Sequence, residues 1–227
     1  MARKTLRPDN TSHNDRPIAL VAKRRGLSPK LVLFDLGKVI LDFEHHWISE
    51  RLAKISGLPV NTVHTAIFKT PDEIALEKGR ITPKVFFTKL KDKLKLKLSY
   101  QEFVPLWNDI FWPKPGMSAL VAELRRKRRP LAMLSNTNKL HFDFVKNKYP
   151  VIRNFDRYFL SYKLCLRKPD KKLYESVMKR TGFKPREIVY FDDVPGFVRA
   201  ASKIGYKAHL MESSQKCRKI LKGYGLI

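Results

Sequence analysis

The stretch Leu31-Val32-Leu33-Phe34-Asp35 sets the interpretation of the whole chain. A short run of apolar residues that ends at a polar residue indicates a buried strand of a parallel sheet, which we expect over residues 30–36. Open sheets of this kind bind their ligands beyond the carboxyl ends of their strands. The Asp35 side chain is therefore the first candidate for a functional group.

Two other strand patterns also end in polar side chains. Residues 131–134 run into Ser135-Asn136-Thr137-Asn138, and residues 188–191 run into Asp192-Asp193. Because the carboxyl ends of parallel strands share one edge of a sheet, these groups should meet Asp35 there. The sequence thus predicts a site with three carboxylates, a hydroxyl and an amide.

The order of the remaining patterns predicts the architecture. After residue 115, helices alternate with strands, which favours an α/β fold with a doubly wound, parallel, Rossmann-like sheet. From residue 47 to about 111 the spacing is helical, so we expect an α-helical cap inserted after the first strand. The predicted helices are residues 117–127, 139–148, 171–181 and 197–204, and the predicted strands are residues 131–134, 158–161, 188–191 and 208–211. The predicted domains are a basic, flexible arm at 1–29, a catalytic core at 30–44 and 112–227, and a cap at 45–111.

The composition favours a cytoplasmic globular protein. With 227 residues, 43% of them hydrophobic, the chain can bury one large core and a smaller insert. It shows neither a long uncharged apolar stretch nor an apolar leader, so we expect no membrane span and no secretion. Cys165 and Cys217 lack metal-ligand spacing, which indicates two reduced thiols in a reducing compartment.

The charge of the chain is strongly positive, at +26 from 47 Lys and Arg against 21 Asp and Glu. Such a surface attracts polyanions without specificity and steers anionic substrates toward the protein. The run Arg125-Arg126-Lys127-Arg128-Arg129 follows a helical pattern. We interpret it as cations favoured by the dipole at a helix end rather than as a localisation signal.

Four short motifs follow one another in an informative order: Phe34-Asp35-Leu36-Gly37-Lys38-Val39-Ile40, Leu134-Ser135-Asn136-Thr137-Asn138, Arg167-Lys168-Pro169-Asp170 and Phe191-Asp192-Asp193. Each motif is weak alone, but four in this order form a specific signal. Together they resemble the haloacid dehalogenase (HAD) superfamily of phosphatases and dehalogenases over residues 30–211. Their local wording, together with Glu77-Lys78-Gly79-Arg80-Ile81-Thr82, looks like the bacterial α-D-glucose-1-phosphate phosphatase branch.

The resemblance implies a phosphomonoester hydrolase that acts on a small phosphorylated metabolite, such as a sugar 1-phosphate. Asp35 would be the nucleophile that forms an aspartyl-phosphate, because carboxylates serve as covalent nucleophiles for phosphoryl groups. Ser135 would hydrogen-bond the transferring phosphoryl group, and Lys168 would hold a cation beside the nucleophile. Further contacts to substrate or phosphate are expected from Leu36, Asn136 and His141.

The same resemblance implies that Mg²⁺ is bound by Asp35, the Gly37 carbonyl, Asp192 and Asp193. Electrostatics favours a cation independently, since two unit charges about 4 Å apart repel by roughly 4 kcal/mol at an effective dielectric of about 20. Lys168 alone cannot neutralise three carboxylates and an anionic substrate, and oxygen ligands suit Mg²⁺.

Two positions depart from the resemblance. Most phosphatases of the superfamily carry an acid two residues after the nucleophile, but Gly37 stands there, as in the sugar-phosphatase branch, so the proton donor is unassigned. Lys38 stands where that branch commonly has asparagine, and could either weaken Mg²⁺ binding or attract phosphate. His45 and His46 are expected as hinge or surface residues, but they and a metal-bound water are the alternatives for the base in dephosphorylation.

Two other functions compete with the phosphatase. A dehalogenase shares the aspartate nucleophile but needs no metal, so Asp192-Asp193 argues against it. The alternative is a catalytically degenerate HAD-like protein that binds nucleic acid or another polyanion through its basic surface. Gly37, the Val194-Pro195 pair after Asp193 and the charge of +26 support that alternative. The intact set of Asp35, Ser135, Lys168 and Asp192 argues against it.

Overall fold

The computed structural model describes residues 29–227, which form a five-stranded sheet, a two-stranded ribbon and surrounding helices. The arm predicted at residues 1–29 lies outside the described residues, apart from Pro29. The strands are β1 (Leu31–Phe34), β2 (Leu41–Phe43), β3 (Phe111–Pro113), β4 (Leu131–Ser135), β5 (Arg157–Leu160), β6 (Ile188–Asp192) and β7 (Lys207–Leu210). The α-helices are α1 (His45–Ser56), α2 (Val60–Ile67), α3 (Pro71–Glu77), α4 (Pro83–Leu94), α5 (Tyr100–Asn108), α6 (Met117–Arg126), α7 (Lys139–Lys148), α8 (Ser161–Leu164), α9 (Lys171–Thr181), α10 (Pro195–Ile204) and α11 (Ser214–Gly223). Two 3-10 helices span Pro150–Asn154 and Pro185–Glu187.

The large sheet has the strand order β5-β4-β1-β6-β7, with every neighbouring pair parallel. From β1 the chain builds β4 and β5 on one side and then adds β6 and β7 on the other. Open α/β sheets bind ligands where the strand order reverses, which here is the carboxyl end of β1. The predicted doubly wound, Rossmann-like fold is confirmed, and Asp35 follows β1 at this point.

Both faces of the sheet are buried, which explains the continuous apolar runs of its strands. Val32 and Phe34 enter one hydrophobic cluster, whereas Leu31 and Leu33 enter the other. Buried residues of α6, α7 and α11 complete the first cluster, and those of α9 and α10 complete the second. This covering on two sides holds β1 rigidly at the centre of the molecule.

Capping residues define several helix ends as the sequence predicts. The bounds of α7 and α9 equal the predicted ones, and α9 stops at Gly182, which has a left-handed φ of 75°. Thr82 accepts a hydrogen bond from the backbone N–H of Val85 at the start of α4. Side-chain caps of this kind satisfy N–H groups that have no partner within the helix.

Helices α1 to α5 form a segment with its own hydrophobic cluster, and we refer to residues 45–108 as the helical segment. The chain enters it after β2 and leaves it before β3, and these two strands pair antiparallel with Phe43 opposite Phe111. The predicted boundary between cap and core, at 111/112, falls inside β3. The division into a core and a cap stays a prediction.

Some short elements do not follow from the sequence patterns. The sequence predicts no strand within residues 47–111, whereas β3 begins at Phe111, and it predicts neither α3 nor α11. Of the basic run, Arg125 and Arg126 lie in the last turn of α6, the position that the interpretation requires. Over the described part of the chain, no helix combines the length and apolar character that crossing a membrane requires.

Candidate active site

Three carboxylates meet at the carboxyl ends of β1 and β6. Asp35 follows β1, Asp192 ends β6 and Asp193 comes next. One oxygen from each side chain lies within 4.8 Å of the others. Asp35 and Asp192 are buried and Asp193 is half-buried. The structure therefore brings together the carboxylates that the strand patterns predict.

The ammonium of Lys168 lies between two of these carboxylates. Its Nζ is 3.0 Å from Oδ1 of Asp35 and 2.6 Å from Oδ2 of Asp192, and its side chain is 1% exposed. The ring centroid of Phe197 lies 5.0 Å from the same Nζ, a cation–π distance. Because a buried charge is stable only when it is paired, these contacts fix the cation in one position.

Asn136 holds the backbone that carries Lys168. Its Oδ1 accepts a hydrogen bond from the Lys168 N–H at 2.7 Å, and its Nδ2 donates to the Lys168 carbonyl at 3.2 Å. Asn136 follows Ser135, the buried last residue of β4. The strand end that carries the predicted phosphate ligand therefore also positions the lysine.

Asp192 is held by further donors besides Lys168. The hydroxyl of Tyr190, two residues earlier on β6, donates to Oδ2, and the backbone N–H of Val194 donates to Oδ1 at 2.8 Å. Tyr190 is fully buried. The orientation of the Asp192 carboxylate is thus set from both of its oxygens.

The electrostatics of the cluster favours an added cation. Burial raises the pKa of Asp35 to about 7, against the lowering effect of Lys168, and Asp192 and Asp193 raise it further. Burial and the charge of Asp192 also raise the pKa of Asp193. Burial alone would lower the pKa of Lys168, but the carboxylates of Asp35 and Asp192 outweigh it and raise that pKa. One ammonium does not balance three carboxylates, and an oxygen cluster with this deficit fits a divalent ion such as Mg²⁺.

The ring of Phe43 excludes a side chain at position 37. A Cβ on Gly37 would lie 2.5 Å from Cε1 of Phe43 and 3.1 Å from its Cδ1. Lys38 extends to the same residue: its ammonium donates to the Phe43 carbonyl and lies 4.9 Å from the ring centroid of Phe43 and 5.5 Å from that of Trp112. The contacts of Lys38 thus connect the β1–β2 turn to the two-stranded ribbon. This structural role differs from the two alternatives considered from the sequence, weaker Mg²⁺ binding and attraction of phosphate.

A cleft of about 130 Å³ separates these strand ends from the helical segment. Its wall combines aromatic rings with polar groups from both sides: Leu36, Gly37, Phe43, His45, Phe68, Glu73, Glu77, Trp107, Phe111, Ser135, Asn136, Thr137, Asn138 and His141. A wider hollow of about 530 Å³ lies between Pro185 and Gly205, and no site carboxylate lines it. The smaller cleft is the candidate substrate site because it reaches the predicted phosphate ligands.

Two histidines line this cleft, and protein contacts occupy both. The Nδ1 of His141 lies 3.1 Å from Nδ2 of Asn138, and its Nε2 lies 3.0 Å from the carbonyl oxygen of Trp107. Burial lowers the pKa of His141 to about 3. The His45 ring stacks on Phe68 with centroids 4.3 Å apart, and burial, assisted by a neighbouring histidine, lowers its pKa to about 4. Both rings are therefore neutral at physiological pH.

Glu77, the last residue of α3, contacts the motif that carries Lys168. Its Oε2 lies 2.8 Å from Nη2 of Arg167, and its side chain is 17% exposed. Burial raises the pKa of Glu77 to about 7, against the lowering effect of Arg167. Within the described residues, Oε2 is buried without a well-aligned hydrogen bond.

The predicted site residues divide into those at the cluster and those at the cleft wall. Asp35, Lys168, Asp192 and Asp193 form the cluster, and the remaining predicted residues line the cleft: Leu36, Gly37, Ser135, Asn136 and His141. The N–H of Leu36 donates to Oδ1 of Asp35 at 2.7 Å. Sequence reasoning missed Tyr190 and the ionic contact of Glu77. Tyr190 could have been found from its place two residues before Asp192, because alternate residues of a strand lie on the same face. No feature of the sequence indicates the contact of Glu77 with Arg167.

The site therefore consists of buried carboxylates around one buried lysine, at the point where the strand order of a Rossmann-like sheet reverses. This arrangement is typical of α/β enzymes that bind a metal ion or a phosphate group. Residues 29–205 match the family model of the haloacid dehalogenase-like hydrolases, and the chain belongs to this family. The predicted superfamily is therefore confirmed, whereas the glucose-1-phosphate branch stays a prediction.

The chain matches curated relatives over nearly their whole length. The chain is 24% identical over 199 residues to a D-ribitol-5-phosphate phosphatase of Bacteroides thetaiotaomicron, covering 85% of this chain and 96% of the relative. It is 25% identical over 195 residues to a sesquiterpene phosphatase of Aspergillus oryzae, covering 84% and 94%. These relatives act on chemically different phosphorylated compounds, so they leave the substrate open.

Solved structures share the fold. A HAD family enzyme from Bacteroides thetaiotaomicron, in complex with magnesium and inorganic phosphate, superposes with a TM-score of 0.74 at 24% identity, over 82% of this chain and 95% of that chain. A dehalogenase structure superposes with a TM-score of 0.62 at 15% identity, over 86% and 97%. The fold alone therefore does not separate a phosphatase from a dehalogenase.

Proposed function

We propose that this protein is a Mg²⁺-dependent phosphomonoester hydrolase that forms an aspartyl-phosphate on Asp35. The observation that carries the proposal is the Lys168 ammonium between Asp35 and Asp192, at 3.0 and 2.6 Å, beside the third carboxylate. The phosphatase names of the curated relatives support the same reaction.

In this proposal Asp35 attacks phosphorus, and the alcohol of the substrate leaves. Lys168 holds the Asp35 carboxylate in position and faces the developing negative charge of the phosphoryl group, which is the electrostatic role that phosphoryl transfer requires. Ser135 and backbone N–H groups at the end of β4 bind the phosphoryl oxygens. The hydrogen bonds from Asn136 keep Lys168 at the correct distance.

Asp35, Asp192, Asp193 and the Gly37 carbonyl would hold Mg²⁺, since the three carboxylates fit an oxygen-ligand set. When bound, this ion neutralises charge on the phosphoryl oxygens and orients them. The hydrogen bonds of Tyr190 and Val194 orient Asp192 as a ligand.

The cleft favours a small, hydroxylated leaving group, such as the sugar of a sugar phosphate. Its volume is about 130 Å³, and its wall includes the carboxyl groups of Glu73 and Glu77 beside aromatic rings. Carboxyl groups form hydrogen bonds with hydroxyl groups, so this wall can bind the hydroxyls of a small leaving group. His141, with both ring nitrogens engaged, shapes this wall and does not donate to the substrate.

A panel of phosphorylated metabolites and 2-haloacids, assayed with Mg²⁺ and with EDTA, tests the proposal. We expect phosphate release from sugar phosphates that EDTA abolishes. Halide release that survives EDTA would establish the dehalogenase instead. Salt-dependent binding of nucleic acid without turnover of any compound would establish the degenerate alternative.

A further inference from the structure

The cleft has to supply a proton to the leaving group from somewhere other than position 37. Gly37 has no side chain, and the Phe43 ring fills the space a side chain would need. General acid catalysis typically contributes about 10²- to 10⁴-fold to a rate. The four titratable side chains that line the cleft are His45, Glu73, Glu77 and His141.

The two histidines do not fit this task. The ring nitrogens of His141 are hydrogen-bonded to Asn138 and Trp107, and the one proton of its neutral ring is donated to the Trp107 carbonyl oxygen. His45 lies between Phe43 and Phe68, stacked on Phe68 and tilted against Phe43 with centroid distances of 4.3 and 4.7 Å, and is neutral at physiological pH. Among the titratable side chains that line the cleft, this leaves the two glutamates on α3.

Of these two, Glu77 is the better placed. It lies at the end of α3 against the Arg167-Lys168 motif, and Lys168 is close enough to lower its pKa. Glu73 lies one helical turn before Glu77 and accepts a hydrogen bond from the backbone N–H of Lys69. The carboxyl of Glu77 is 17% exposed, and burial favours the protonated form against the opposing ion pair with Arg167, whose Nη2 lies 2.8 Å from Oε2. A group with a pKa near the working pH is the most effective proton donor.

Resting on the proposed phosphatase function, we propose that Glu77 is the general acid and base of the reaction, in place of the missing acid at position 37. As the Asp35 oxygen bonds to phosphorus and the bond from phosphorus to the leaving oxygen breaks, Glu77 gives its proton to that oxygen. Water then attacks phosphorus, the bond to Asp35 breaks, and the water proton passes to Glu77. The sum is one phosphomonoester and one water converted into one alcohol and one phosphate.

Several charged groups set the protonation of Glu77. Arg167 and Lys168 lower its pKa, and Glu73 on the preceding turn raises it. On the packed neighbour α4, Lys89 is paired with Asp72 at 2.6 Å. On α8, Tyr162 packs its backbone against Gly79, the second residue after Glu77. Removal of the Arg167 charge should therefore make Glu77 hold its proton to higher pH.

The test compares Glu77→Gln with Asp72→Asn, an acid-to-amide control at the exposed start of α3. Two probes are used: phenyl phosphate, whose leaving group needs a proton, and dinitrophenyl phosphate, whose leaving group does not. The release of each phenol is measured in a single turnover with Mg²⁺. We expect Glu77→Gln to slow phenol release by about 10²- to 10⁴-fold and dinitrophenol release by less than about threefold.

Equal slowing of both probes, or of neither, would overturn the role of Glu77. The pH profile gives a second readout if Glu77→Gln does not fold. For phenyl phosphate the wild type should lose activity at high pH, and Arg167→Met should move that loss to higher pH; an unmoved profile would also overturn the role. Failure of the proposed function looks different, because the wild type would then release neither phenol.

Discussion

The ring of Phe43 occupies the space that a side chain at position 37 would need, with Cε1 only 2.5 Å from the Cβ that Gly37 lacks. Gly37 follows the nucleophile candidate by two residues, and Phe43 belongs to the ribbon that leads into the helical segment. The loss of an acid at this position is therefore coupled to how the ribbon packs on the sheet. Two features that look unrelated in sequence form one structural unit.

Gly37→Ala should destabilise the protein by about 1–3 kcal/mol, since overpacking at a filled site forces ring and backbone to shift. Urea unfolding measures the change. Phe43→Leu in the same chain should recover most of it. Gly223→Ala, where nothing lies within 4 Å of an added Cβ, is the matched control and should not lose stability. A Gly37→Ala protein as stable as the wild type would show that the Phe43 ring moves freely.

Tyr190→Phe removes the hydroxyl that donates to Asp192 and keeps the buried ring. We expect Mg²⁺ affinity, measured from the dependence of activity on its concentration, to fall by about 10- to 100-fold, the usual effect of losing a partner behind a metal ligand. Tyr206→Phe, which loses a hydroxyl bonded to the Tyr174 carbonyl at 2.7 Å, is the control for removing a buried hydroxyl. Equal Mg²⁺ affinity in both variants would contradict the role of Tyr190.

Mg²⁺ should raise the melting temperature of the wild type, because a ligand that binds only the folded state stabilises it by mass action, by about 2.7 kcal/mol at 100 times its Kd. Asp192→Ala should abolish the shift. Asp143→Ala, at an exposed ion pair on α7, should retain it. An unchanged melting temperature in the wild type at millimolar Mg²⁺ would remove the argument for Asp192 as a ligand.

Glu77 should make stability depend on pH. Its pKa is raised from 4.5 to about 7 in the folded state, so the folded protein holds this proton more tightly than the unfolded chain does. The resulting stabilisation is complete below pH 4.5 and is lost as the pH rises through about 7, by at most about 3 kcal/mol. The difference in unfolding free energy between wild type and Glu77→Gln, measured from pH 4 to 8, should shrink accordingly. A difference that grows with pH would contradict the raised pKa.

The sheet and much of the site could be predicted from the sequence because both depend on short stretches of neighbouring residues. Buried strands need apolar runs, and polar residues directly after β1, β4 and β6 have to meet at one edge. Resemblance supplied Lys168, whose ion pairs could not be derived from spacing. Three-residue strands such as β2 and β3 show no measurable periodicity, so they could not be predicted.

The rest depends on how distant segments pack. Gly79, with a left-handed φ of 62°, lies so close to the Tyr162 carbonyl that an added Cβ would be 2.1 Å from its oxygen. This close approach brings the end of α3, and with it Glu77, against Arg167. The motif that begins at Glu77 resembles the sugar-phosphatase branch in sequence, but the contact between Glu77 and Arg167 forms only when the chain folds.

The covalent step on Asp35 is the central claim, and mass spectrometry of acid-quenched enzyme tests it most directly. Protein mixed with dinitrophenyl phosphate and Mg²⁺ is quenched within the first turnover, digested and mapped, with Asp35→Asn and Asp143→Asn treated in parallel. We expect the mass of one phosphoryl group on the peptide that contains Asp35, in the wild type and Asp143→Asn only. Turnover without this adduct, or turnover by Asp35→Asn at the wild-type rate, would contradict the mechanism.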